Sequence, residues 1–431
     1  MNGTTAHEGS GAQNGSNASR FPDSQKQRLN SLDQFRGFVV LGMVFVNFIG
    51  DFDWVQQRAP VLRHNNTYFS FADTIMPAFH FAVGFSLRLS FLRLLNQVGT
   101  SQTLLRFLRR ILGLALIGVV LEFSANKSLS WGELTSKNTL DILMPLLKSG
   151  FWNTLTIIAV ASLWVLPVAG ARARWRICYL FFGMALHLAI CHAFYFNFLV
   201  GRPNILSDSL GSTSIRGLDG GPLGFLAWGS LQLAGTLVCD LMVGLRQGTA
   251  FIAVLLAGLL CSAVGYLISC LAMLYPVTQP PTQKESGLVI ATSPVILPAI
   301  DWKNIDYRQL RALPPFVQPA AEEQREYNYW LVSKRIVSLP FQFTALGYSL
   351  LVFAAFLLLS DGLKISLGLL RTFGQNPLAS YLAHEIISRA VASIAPSDAP
   401  LYWVIGSFGV YFLLTYSFIR QLEKKKIFLR M

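Results

Sequence analysis

Charge is what this sequence has least of: 13% of its 431 residues are Asp, Glu, Lys or Arg, against about a quarter in soluble domains. That scarcity excludes an ordinary soluble globule, whose surface needs ionic groups to stay hydrated. Cysteine is sparse too. Cys178, Cys191, Cys239, Cys261 and Cys270 all lie in apolar stretches and none forms a CxxC pair, so neither a disulfide framework nor a zinc site is expected. His187 and His192 are five residues apart, not the three or four that place two ligands on one helical face, and no metal is expected. No internal repeat is evident, which argues against a transporter built from inverted repeats.

What the chain has is hydrophobic residues, 53% of the total, gathered into blocks long enough to cross a bilayer as helices. Ten spans are expected near 37–50, 69–87, 108–124, 151–169, 176–196, 223–245, 250–274, 336–360, 376–394 and 401–419, with an eleventh, partial one at 139–149. The expected fold is therefore an all-α polytopic bundle of about ten transmembrane helices. The net charge of +13 falls mostly between the blocks. Basic residues such as Arg106, Arg109, Arg110, Arg172, Arg174, Arg176 and Lys424–Lys426 collect in segments that alternation places on one side. The positive-inside rule makes that side cytosolic and puts both termini there. These cations suit anionic membrane lipid, and with no basic face interleaved with aromatics in a soluble segment, nucleic acid is not expected as a partner. Residues 1–27, rich in Gly, Ser, Asn and Gln, are expected to be a disordered cytosolic tail. Residues 28–420 are the membrane domain, and 421–431 a basic cytosolic tail. Within the domain, 275–333 is a long extracytoplasmic loop with eight prolines.

Ionisable and amide groups inside a bilayer are costly, so each marks a candidate site. RLNSLDQFRG sets Asp33 and Arg36 one turn apart on one helical face, an arrangement that serves equally as a headgroup anchor or as a cation for phosphate. Asn47 follows near the outer end of the first span, where an amide needs a partner on another helix or on substrate. His64 precedes the second span and Asp73 enters it. An imidazole there can take a proton from an attacking amine or hydroxyl, and a carboxylate can orient it. Late in the chain, FGQNPLASYLAHEI groups Asn376, Tyr381, His384 and Glu385 on the ninth span, as around a polar cavity between helices.

Two segments taken together resemble the heparan-alpha-glucosaminide N-acetyltransferase family of transmembrane acyltransferases. SLDQFRGFVVLGMVFVNFIG, followed by RHNNTYFSFADTIMPAFHFAVGF, is similar to the family's opening S-[LIV]-D-x-[FL]-R-G, its MxxVN stretch, and its His…AD-x-[VI]-x-P-x-F-x-F-x-x-G block. FGQNPLASYLAHEI is similar to its late GxNxxxxYxxHE helix. The resemblance implies ten or eleven helices, acetyl-CoA entering from the cytosol as acyl donor, and a terminal amino sugar acetylated from the far side. It assigns the catalytic role to His64, assisted by Asn47, with Asp73 the family's aspartate of the second span. It matches Arg36 to the opening arginine, and Asn376 and His384 to polar positions of the late helix. The sequence departs from the pattern between Asn47 and His64, an interval longer than the family's, and after His64, where Asn65, Asn66, Thr67 and Tyr68 replace the usual tryptophan. Both departures fall where an acceptor docks.

The expected activity is transfer of an acetyl group from cytosolic acetyl-CoA to an amino sugar or other glycan acceptor across the membrane. Arg36, Asp33, Arg106, Arg109 and Arg110 would hold the CoA phosphates, and Asn47, His64 and Asp73 would perform the chemistry. A bacterial-type inner membrane is the expected location in preference to a lysosomal one, and a homodimer is compatible with the sequence. The rival reading is a transporter for a small anionic or sugar-like solute, using the same polar residues without covalent chemistry.

Overall fold

A computed structural model describes residues 29–125, 131–136, 150–206, 219–277, 289–299, 310–320 and 325–429. The partial span at 139–149 and the tail at 1–27 lie outside them. Regular structure among the described residues is helical, apart from two single bridges, Val277–Arg325 and Ile290–Tyr327. Six helices are long and apolar enough to cross a membrane: Asn30–Ile49, Ala173–Val200, Phe225–Gly244, Gln247–Leu274, Leu339–Gly362 and Leu401–Lys424. The chain is an integral membrane protein.

In chain order the elements are α1 (Asn30–Ile49), the short α2 (Asp53–Arg58), α3 (Ala72–Ala125), α4 (Thr154–Val165), α5 (Ala173–Ile190), α6 (Phe225–Gly244), α7 (Gln247–Ser269), α8 (Leu339–Phe356), α9 (Gly368–Gln375), α10 (Pro377–Ala392) and α11 (Leu401–Lys424). The predicted second and third spans both fall within α3. Gly99 breaks that element with a φ of 77°, and nothing lies near the position its Cβ would take. Sixteen residues of unbroken helix would part Phe91 from Phe107 by about 24 Å, yet their rings lie 5.6 Å apart. The chain thus reverses at the glycine, giving two packed arms, 72–98 and 100–125. Only a residue free of the Cβ penalty adopts that backbone conformation cheaply.

α1 is the axis of the bundle and packs against α3, α8, α9, α10 and α11. Its Phe35 is fully buried, edge-on to Phe81 of α3 at 5.7 Å and to Phe353 of α8 at 5.5 Å. Such ring pairs give specificity where lipid removes the hydrophobic drive between helices. Backbone contact seals α1 to α9. A Cβ on Gly37 would sit 1.8 Å from Leu370 O, and one on Gly374 would sit 1.9 Å from Asp33 O. Gln34 adds a reciprocal pair, its Nε2 donating to Leu367 O and its Oε1 accepting from Leu367 N, each at 3.1 Å. The start of α1 is therefore fixed, and with it the positions of Asp33 and Arg36.

Buried charge ties α3, α5 and α6 together. Arg88 grips Asp240 through Nε at 2.8 Å and through its second amino group at 3.1 Å, and Arg176 bonds the same carboxylate. Removing the carboxylate would leave two buried guanidiniums uncompensated. Large apolar side chains face outward along the spans, as lipid requires: Leu256 and Leu260 on α7 and Leu413 on α11 are all exposed.

Candidate active site

Two polar centres occupy opposite ends of α1. At its start, α1, both arms of α3, α4 and α10 enclose a cavity of about 750 Å³. Asp33, Arg36, Arg93 and Arg110 line it, as do Tyr381 and Ser162. Arg36 bonds Asp33 through its terminal amino group, while its Nε is buried with no protein partner. Such an orphaned donor costs free energy unless a ligand or water satisfies it. Of the three arginines expected on α3, Arg110 lines the cavity. Arg106 and Arg109 are exposed and stand outside the lining. Arg93, from the opposite arm, joins instead.

The second centre lies just past the end of α1. Gly50 ends that helix so closely beneath the loop that its Cβ would meet Leu62 O at 3.5 Å and Arg63 Cα at 3.9 Å. This brings His64 beside the last turn of α1. His64 Nδ1 is 2.9 Å from Asp73 Oδ1, its side chain half exposed and that of Asp73 buried. The carboxylate is held firmly. Its Oδ2 accepts from Ser70 Oγ at 2.7 Å, from Asn65 N at 3.2 Å and from Ser70 N at 3.4 Å, while Asp73 N donates to Ser70 Oγ at 3.2 Å. Ser70 and Asp73 form a reciprocal capping box at the start of α3, and SFAD is its sequence signature. One aspartate thus starts a membrane helix and fixes the imidazole. Asp51 is also close enough to His64 to feel its charge. Partial desolvation raises the Asp51 carboxyl from its ordinary value, and His64 opposes that rise.

Asn47 does not spend its hydrogen bond on His64. Its Nδ2 is 3.4 Å from His384 Nε2, across the contact between α1 and α10. His384 Nδ1 lies 2.5 Å from Tyr381 O, so Nδ1 carries the proton and Nε2 accepts from Asn47. Glu385 Oε1 is 3.6 Å from the same Nε2. A proton arriving there would meet a carboxylate, and the second Nδ2 hydrogen of Asn47 remains available. Tyr381 connects the cavity to His384. It lines the cavity, and its ring lies 5.1 Å from that of His384, edge to face.

Asn376 was expected to face a polar cavity, but it is fully buried, with both ends of its amide committed to the backbone of residues 427–429. Of the remaining histidines of the spans, His192 is exposed, while His80 and His187 pack in the interior. His80 is stacked on Trp228 at 4.8 Å, and His187 is buried beside Cys191. No group of three or more His, Cys, Asp or Glu side chains arranged to hold a metal occurs among the described residues.

A cavity lined by arginines at one end of a membrane helix and a carboxylate-oriented histidine at its other end are the parts that a transmembrane group transferase needs. A family model described as "Heparan-alpha-glucosaminide N-acetyltransferase, catalytic" matches residues 28–249, just over half of the chain. The chain belongs to that family and is a transmembrane acetyltransferase. No match was found among curated proteins.

Proposed function

We propose that the protein takes acetyl-CoA into the inner cavity from the cytosol and delivers its acetyl group to an amine or hydroxyl of a glycan docked beside His64 on the far side. The observation that carries this reading is the cavity itself, cationic at Arg36, Arg93 and Arg110 and reaching Tyr381 one turn from His384. Arg36 and Asn47 are eleven residues apart on α1, about 16 Å at 1.5 Å per residue. An extended pantetheine arm bridges such a gap while the phosphates stay at the guanidiniums, whose planar forks match phosphate oxygens.

In the transfer step the acceptor nitrogen or oxygen attacks the thioester carbonyl. His64 removes its proton, and Asp73 holds the ring and stabilises the imidazolium. Asn47, kept in place by His384, donates its second amide hydrogen to the oxyanion. As the tetrahedral species collapses the carbon–sulfur bond breaks, and the proton passes to the CoA thiolate. One observation favours a second assignment of the base: His384 Nε2 carries the lone pair nearest Asn47, with Glu385 behind it.

Radiolabel transfer from acetyl-CoA by purified His64→Ala and His384→Ala proteins decides between them. Loss of transfer with donor binding intact identifies the base, and absence of any acetyl transfer by the wild type would favour the transporter reading instead. The same proposal carries ten crossings with both termini cytosolic in a bacterial-type inner membrane. A cysteine introduced at Asn66 should react with an impermeant thiol reagent from outside, and one introduced at Gln421 should not.

A further inference from the structure

Past α11 the chain turns back under the bundle. Lys426 adopts a φ of 55°, and Ile427 N donates to Leu422 O at 2.9 Å, so the helix ends in a tight reversal of the kind that closes helix C-termini. The root of the turn is anchored to α9: Thr372 Oγ1 donates to Glu423 Oε2 at 2.6 Å, and Arg371 lies 3.5 Å from the same carboxylate. The free end is anchored by Asn376. Its Nδ2 donates to Ile427 O at 2.9 Å and its Oδ1 accepts from Leu429 N at 3.1 Å. The amide thus pairs with the strap as a neighbouring β-strand would, one donor and one acceptor to alternate backbone groups. It does not cap α10, to whose start it belongs. The effect is to place Phe428 and Leu429 in the wall of the cavity that holds Asp33, Arg36, Arg93 and Arg110. The same turn carries Lys424, Lys425 and Lys426, all exposed.

We propose that the strap formed by residues 425–429, clasped by Asn376, is part of the donor site and binds the nucleotide end of acyl-CoA. Phe428 and Leu429 form an apolar floor for the adenine, and the lysine run beside them attracts its phosphates. Asn376 is a positioning residue that acts through the strap. The inference rests on the assignment of the cavity to acyl-CoA. It adds a consequence of its own: recognition of the nucleotide separates from recognition of the acyl-pantetheine arm, which the walls contributed by α3, α4 and α10 contact.

The test uses the full chain in lipid nanodiscs, with CoA affinity measured by titration calorimetry. Transfer rates with S-acetylpantetheine, which lacks the nucleotide, are measured in parallel. The proteins compared are the wild type, Arg36→Ala, Asn376→Ala and a chain ended after Lys426. Both strap variants should lose about tenfold in CoA affinity, equivalent to about 1.4 kcal/mol, while rates with S-acetylpantetheine stay at the wild-type level. A cysteine placed at Leu429 in a Cys178→Ser background reports the clasp independently of activity. CoA should slow its reaction with a maleimide, and Asn376→Ala should speed it. Unchanged CoA affinity in both strap variants, alongside weakened binding in Arg36→Ala, overturns the role of the strap and leaves the donor cavity standing. An equal loss with both donors also overturns it, since that marks a general structural defect. Failure of the wild type to bind CoA overturns the cavity assignment instead.

Discussion

The two ends of α1 solve different problems. At the start of α1 a cavity is walled by four helices, with cations from α1 and from both arms of α3. At the other end the imidazole of His64 is half exposed, on a loop, and only its partner Asp73 is buried. Fixed walls suit a donor that is always the same molecule, because preorganisation lowers the entropy lost on binding. An open histidine on a rigid carboxylate suits an acceptor presented at the end of a larger chain, where only the terminal unit must reach the base. On the proposed reading, affinity belongs to the end that lines the cavity and chemistry to the end that holds His64.

Mutations at the two ends should separate those functions. His64→Ala should have the largest effect, lowering acetyl transfer about a thousandfold, within the range of general acid–base catalysis, with acetyl-CoA affinity unchanged by calorimetry. Full activity in that variant would move the chemistry to His384. Asn47→Ala should slow transfer about a hundredfold through the lost oxyanion donor, again at constant donor affinity; parallel loss of donor binding would show that the ends are not separable. Arg36→Ala should do the reverse, weakening acetyl-CoA binding about tenfold through the lost charge-assisted contact, with turnover at saturating donor preserved. The smallest effect is expected from Asp51→Asn. Its carboxyl lies within coulombic reach of His64 but touches no reacting atom, so its loss should lower transfer only about threefold, with donor affinity unchanged. A loss as large as that of His64→Ala would make Asp51 part of the chemistry.

The sequence exposed the two ends unequally. SLDQFRG, Asn47, His64 and Asp73 stood out because polar groups in apolar spans are conspicuous, and the structure gathers them at the two ends of α1. The ion pair of Asp33 with Arg36 follows from their one-turn spacing. The pairing of Asn47 with His384 was not legible, since nothing local signals which helices touch across 337 residues. Arg109 looked like Arg110 in the sequence, but one step along a helix is a turn of about 100°, and only Arg110 faces the cavity. The capping box in SFAD was readable and shows why Asp73 stays buried. The strap was hidden because residues 425–429 carry a basic run that an exposed tail would also carry, and the residue that holds it lies some fifty positions earlier.

The reversal at Gly99 makes the two arms of α3 a pair of levers on one pivot. Arg93 belongs to one lever and Arg110 to the other, and both reach the same cavity. Like charges facing each other push the levers apart, and a polyanion between them draws them together. The donor's phosphates would then work as a rivet through the jaws, holding shut a joint whose arms the contact of Phe91 with Phe107 already aligns.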